Sequence, residues 1–172
     1  GFKQFKQALE AEVEPEEAAD IAFEEVTEVR PEMLSKDDFF YFEMLGDNYH
    51  IDEMVGFAWG NAQQIYASQD INLLQQPAFK EFLGNTALKV YDFKRSKVLL
   101  SRLGIELSQP SFDSRLAKYL LSTVDNNEIV TIAGLYGKTK LAEDEAVYGK
   151  GAKRALPEKA ILLSHLAKKV TV

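Results

Sequence analysis

The sequence predicts an α/β domain, a mixed β-sheet of about five strands flanked by helices. Three observations carry this. The segment FFYFEML at 39–45 is apolar on both faces, as a central strand covered on each side must be. The segments MVGFAWG (54–60) and QQIYAS (63–68) are rich in aromatic and β-branched residues and flank Gly60-Asn61, so they read as a hairpin. From residue 94 onward, apolar side chains recur at helical spacing instead.

Taken in order, residues 1–20 open with Phe2, Phe5 and Leu9 at helical spacing and pass into EAEVEPEEAAD, five glutamates around Pro15. Like charges repel and proline interrupts a helix, so this reads as a tether following the end of another folded unit. The domain proper is expected over 21–172. IAFEEVTEV (21–29) is a strand ended by Arg30 and Pro31, and the strands at 39–45, 54–60 and 63–68 form a meander. In INLLQQPAFKEFLGN, Leu73, Leu74, Phe79, Phe82 and Leu83 follow a helical period broken by Pro77 and closed by Gly84. ALKVYD (87–92) returns to strand.

Two helices follow. KRSKVLLSRLG gathers Val98, Leu99, Leu100 and Leu103 before Gly104, and SFDSRLAKYLLST groups Leu116, Tyr119 and Leu120 behind Asp113, which has the spacing of an N-cap. A third helical piece covers 129–135, a polar loop covers LAEDEAVYGKGAKR (141–154), and Pro157 opens a last helix running through Lys169.

Composition limits the function. The net charge of −7 opposes a strong nonspecific grip on nucleic acid, because phosphate binding relies on Lys and Arg that displace counterions. The absence of cysteine removes disulfides, thiolate metal sites and a Cys nucleophile. No apolar run approaches the 18 residues of a membrane span, so a soluble, cytoplasmic, monomeric domain with no membrane partner is expected.

Two segments, VYDFKRSKVLLSRLGIELSQPSFDSRLAKYLL (90–121) and EDEAVYGKGAKRALP (143–157), carry GIEL, then FD with an apolar helix, then YGKGAKR. In that order and spacing they resemble the 3′ to 5′ exonuclease domain of bacterial DNA polymerase I. The resemblance covers 21–172 and implies a ribonuclease-H-like sheet, with residues 1–20 as the end of a 5′ nuclease domain and its linker. It implies as partners the 5′ nuclease and polymerase domains of one parent chain, and DNA through that parent, in replication and repair.

Active members of that family use four carboxylates to hold two divalent metals at the scissile phosphate, which stabilise the attacking hydroxide and the leaving oxygen. Aligned on FFYFEML, the first Asp-x-Glu pair falls on Glu43 and Leu45; the second motif's Asp falls on Ser96; the last motif's Tyr and Asp fall on His165 and Lys169. One carboxylate remains and an ammonium opposes it, so the two metals are expected to be absent and the proofreading site inactive. Two rival readings stand: a weak, divergent metal-dependent exonuclease built on Glu43, Asp92 and His165, and a module contacting protein or single-stranded DNA.

Glu43 is expected to reach solvent at the strand end or to pair with Lys169, and His165 to be a partly exposed helix side chain without a partner ligand. His50, with Asp47, Asp52 and Glu53, reads as a solvated connection. Lys150, Lys153 and Arg154 make the one compact basic loop, open to a phosphate or an acidic neighbour.

Overall fold

A computed structural model describes residues 21–121 and 141–171. The expectations for the tether at 1–20 and the helical piece at 129–135 lie outside those residues.

The strands are β1 (Glu24–Glu25), β2 (Phe39–Met44), β3 (Met54–Gly60), β4 (Ile65–Ser68), β5 (Lys89–Val90) and β6 (Phe112–Asp113). They form one sheet in the order β1-β4-β3-β2-β5-β6. The β2-β3-β4 meander is antiparallel, while β1 on β4, β5 on β2 and β6 on β5 are parallel. The sheet is therefore mixed, as expected, with six described strands in place of about five. The strand expected over 21–29 shortens to Glu24 and Glu25, after which Val26 is buried in the core with its N–H bonded to Ala67 O of β4.

The helices are α1 (Pro77–Asn85), α2 (Phe93–Ser101), α3 (Ser114–Leu121), α4 (Asp144–Tyr148) and α5 (Lys159–Val170), with 3-10 turns at Pro31–Met33, Ile71–Gln75 and Gly151–Lys153. The polar loop expected at 141–154 thus contains α4. Glu143 enters that helix in extended conformation, and Asp144 and Glu145 lie in its first turn, where carboxylates favour the helix dipole. Pro157 precedes α5 by two residues instead of opening it.

Alternation along β2 divides the domain into two layers. Phe40, Phe42 and Met44 enter a core with Trp59, Phe79, Leu83, Leu99 and Leu100, covered by α1 and α2. Phe39 and Tyr41 point the other way, into a core with Leu162, Leu163, Leu166 and Tyr148 from α5 and α4. Glu43 belongs to this second face. The last nine residues of α5, Leu162 to Val170, are all buried. The helix approaches β3 closely because Gly56 lacks a side chain: a Cβ there would lie 2.7 Å from Leu166 Cδ1.

Asp113 performs its expected capping role. Its carboxylate accepts from the N–H groups of Arg115 and Leu116 and also from those of Asp92 and Phe93, tying α3 to α2. The expected apolar grouping on α3 is not buried: Leu116 and Tyr119 are 54% and 58% exposed, while Ser114 and Lys118 turn inward. The anchor at Asp113 sets the phase with which α3 leaves the sheet.

Candidate functional site

Glu43 stands near the end of β2, 2% exposed, facing the C-terminal turn of α5. A carboxylate so placed needs a partner for each oxygen. Oε2 accepts from Lys169 Nζ at 2.5 Å and from Tyr148 Oη at 2.9 Å. Oε1 accepts from Tyr41 Oη at 3.1 Å, from Arg95 Nη2 at 3.3 Å and from the Met44 N–H at 3.1 Å. Glu43 does not reach solvent, so of its two expected placements the pairing with Lys169 is the one formed.

Lys169 is fully buried and bonds a second carboxylate, Asp144 Oδ1, at 2.8 Å. His165 Nε2 lies 2.9 Å from that same oxygen. Against an ionised carboxylate, Nε2 carries the hydrogen and donates. His165 is therefore neither partly exposed nor partnerless: it is 4% exposed, bonded to Asp144 and packed edge-on against Tyr148 at 5.6 Å. The reason is the depth at which α5 lies on the sheet. Tyr41 sits between two cations, with Lys169 Nζ 4.6 Å and the Arg95 guanidinium 5.3 Å from its ring centre. Arg95 is anchored in turn by a 2.5 Å bond to Phe42 O.

The other positions singled out in the sequence lie outside this cluster. Leu45 is half-buried against the second core, and the side chain that meets Glu43 from two residues along the strand is Tyr41. Ser96 is fully buried, its Oγ 3.1 Å from Tyr91 O and 3.0 Å from Asp92 O. Asp92 caps α2, accepting from Arg95 N at 3.2 Å, with Arg115 3.7 Å from its other oxygen. His50 is exposed, with its ring against Tyr49 at 4.7 Å, and Asp52 accepts from Asn48 N, as a solvated connection requires. Lys150, Lys153 and Arg154 are exposed, and Arg154 also lines the cleft next to Glu43.

Asp144, Tyr148, Tyr41 and Arg95 escaped the sequence reading. Asp144 and Tyr148 are four apart on one short helix and so share a face, a spacing hidden by the charge run EDE, which reads as solvated.

The electrostatics follow from the contacts. Burial pushes the Asp144 carboxyl up, but the His165 hydrogen bond and the Lys169 charge outweigh it and hold the group well below the usual range. Burial likewise lowers Lys169, yet Glu43, Tyr41 and Asp144 together raise it well above an ordinary lysine. Burial and the Glu43 charge raise both the Tyr41 and Tyr148 hydroxyls, which stay protonated as donors.

A depressed carboxyl contributes stability that is complete above about pH 3.9 and is lost as pH falls; a raised amine contributes stability that is complete below about pH 10.4 and is lost as pH rises. The difference in Tm between the native protein and Lys169→Met should therefore stay constant through neutral pH and narrow above about pH 10.4. Thermal scans across alkaline pH check this. A gap that widens there would place the Lys169 charge elsewhere.

The cluster opens on a cleft of about 630 Å³ lined by Tyr41, Glu43, Tyr49, Asp92, Arg95, Asp144 and Arg154, among others. Its walls carry six carboxylates (Glu43, Asp47, Asp92, Glu143, Asp144, Glu145) and three arginines (Arg95, Arg115, Arg154).

A meander joined by parallel strands, with helices on both faces and a carboxylate at the end of a central strand, defines a ribonuclease-H-like domain. Two solved structures share the fold: one described as the apo form of the nuclease (TM-score 0.66, 14% identity, 89% of this chain and 76% of that one), the other Brucella melitensis NrnC with bound Mg2+ (TM-score 0.60, 11% identity, 86% and 72%). Residues 40–172 match the family described as DNA polymerase I, ribonuclease H-like domain.

The DNA polymerase I of Streptococcus pneumoniae strain R6 is 54% identical over all of this chain, and those of Lactococcus lactis strain IL1403 and Bacillus subtilis are 51% and 36% identical over 100% and 92% of it. The chain belongs to the family of ribonuclease-H-like, exonuclease-like domains of DNA polymerase I. It spans about a fifth of the length of these relatives. Among the described residues, no helix is long and apolar enough to cross a membrane.

Proposed function

We propose that the chain is a catalytically silent exonuclease-like domain of a DNA polymerase I, a structural module between the 5′ nuclease and polymerase domains of an enzyme of replication and repair. The observation that carries this reading is the Lys169 ammonium, 2.5 Å from Glu43 and 2.8 Å from Asp144. It stands where the two carboxylates converge, and a positive charge there repels an incoming cation.

The charge balance supports the same reading. Glu43 and Asp144 are matched by Arg95 and Lys169 at contact distance, so the cluster is neutral without any ion. Two divalent metals bring about four positive charges and take several oxygen ligands each. Here Leu45 and Ser96 offer no carboxylate, and the oxygens of Glu43 are taken by Lys169, Arg95, Tyr41 and Tyr148. The residues do not fit a two-metal centre. A divergent nuclease using Glu43, Asp92 and His165 is less well supported, because Asp92 serves as a helix cap and the ligand atoms that lie together belong to Glu43, Asp144 and His165.

A second reading, a single-strand or protein contact module, is favoured by the open cleft. Six carboxylates against three arginines make that cleft a poor host for a phosphate backbone, and the basic loop is a supporting contact at most. The test is release of nucleotides from a 3′-labelled single strand with Mg2+ or Mn2+. No release above a mock purification is expected; release abolished by Glu43→Ala would reject the inactive reading.

A further inference from the structure

We infer that Glu43, Asp144 and His165 form a latent site for one divalent cation of the Zn2+ class, held closed by the Lys169 ammonium. The inference rests on the reading that the native chain keeps no two-metal centre, and concerns a different ligand set. Asp144 comes from α4, a segment that offers none of the positions aligned above, and His165 brings a nitrogen ligand.

The geometry suits a single ion. One ligand atom from each of the three residues lies within 4.8 Å of the others. A metal with bonds of about 2.0–2.2 Å holds its ligands about 3–4 Å apart, so closing the triad requires a contraction of at most about 1–2 Å. Glu43 and His165 are 2% and 4% exposed and fixed by packing, whereas the Asp144 side chain is half-exposed on a five-residue helix and is the part free to adjust. One imidazole with two carboxylates is a borderline donor set, better matched to Zn2+ than to Mg2+, which takes oxygen ligands in octahedral array.

Lys169 supplies the competing cation. Its Nζ touches both carboxylates, and the His165 ring is bonded to one of them, so the ammonium lies among all three ligands. Replacing it by a neutral side chain leaves Glu43 and Asp144 facing Arg95 alone, one negative charge in excess that a divalent cation can offset. His165 then has to present Nε2 unprotonated, with its hydrogen carried on Nδ1.

The experiment compares thermal unfolding of native protein, Lys169→Met and Lys169→Met/His165→Ala with Zn2+ or Mg2+ at micromolar concentration. The expected result is a Zn2+-dependent rise of several degrees in Lys169→Met, of the order produced by ligand well above its Kd, with no response to Mg2+ and no response in the native or double-variant protein. An equal rise in native protein, or its survival without His165, overturns the inference. So does a folded Lys169→Met that ignores Zn2+. Should Lys169→Met lack structure without metal, Lys169→Gln, which keeps a donor toward the carboxylates, is the second variant, and a folded Lys169→Gln without Zn2+ response overturns the inference equally. Stabilisation of native protein by Mg2+ would reject the proposed inactivity and with it the premise of this inference, an outcome distinct from a folded Lys169→Met that ignores Zn2+, which rejects the triad alone.

Discussion

Glu43→Ala should destabilise the domain by about 3–5 kcal/mol, because it strips the shared partner from two buried cations. Lys169 and Arg95 are 0% and 7% exposed, and both contact the Glu43 carboxylate, as do the hydroxyls of Tyr41 and Tyr148. Removing Glu43 leaves Arg95 on the Phe42 carbonyl and Lys169 on Asp144 and the Tyr41 hydroxyl, two buried cations short of a carboxylate, whereas replacing a whole buried group by apolar residues can be neutral or better. A combined Glu43→Leu/Lys169→Met variant should accordingly recover part of the loss. Urea unfolding of the single and double variants measures this, and a single variant as stable as native would show that Glu43 is not the keystone of the cluster. In an active two-metal site the opposite is expected, since removing one of several crowded carboxylates relieves repulsion.

Trp59→Ala should cost a comparable amount, about 3–5 kcal/mol, for a different reason. Trp59 is fully buried at the centre of the first core, its ring 5.9 Å from Phe40, 5.8 Å from Phe57 and 5.2 Å from both Tyr66 and Phe79. Its Nε1–H donates to Met33 O at 2.8 Å, tying the turn before β2 to the sheet. Trp59→Phe keeps part of the apolar contact and loses the donor, so it should fall between native and Trp59→Ala. Denaturant midpoints for the two substitutions check the order; Trp59→Phe as costly as Trp59→Ala would assign the loss to the hydrogen bond rather than to packing.

The sheet was legible where the pattern was strong. FFYFEM is buried throughout as β2, with Leu45 half-buried just beyond it, and the hairpin turns at Gly60, whose φ of +150° and close approach to Gln64 O suit a residue without a Cβ. The short parallel strands β1, β5 and β6 were blurred or missed, because two residues of ladder leave no period to read. Of the site, Glu43 and Lys169 could be paired because both fall on motif positions of the family that the sequence resembles. Asp144 could not, since it reaches Lys169 across 25 residues of sequence and nothing local marks it. The misplacement of His165 had the same origin: its burial depends on how closely α5 meets Gly56, a tertiary fact.

On the proposed reading, Lys169 fills the position that a metal takes in this fold. The direct measurement is a count of ions bound by the native protein, by titration with Mn2+ followed by electron paramagnetic resonance. Mn2+ is expected to remain free in solution up to concentrations well above those of the protein. Tight binding of two Mn2+ per chain with mutual spin coupling, lost in Glu43→Ala, would contradict it.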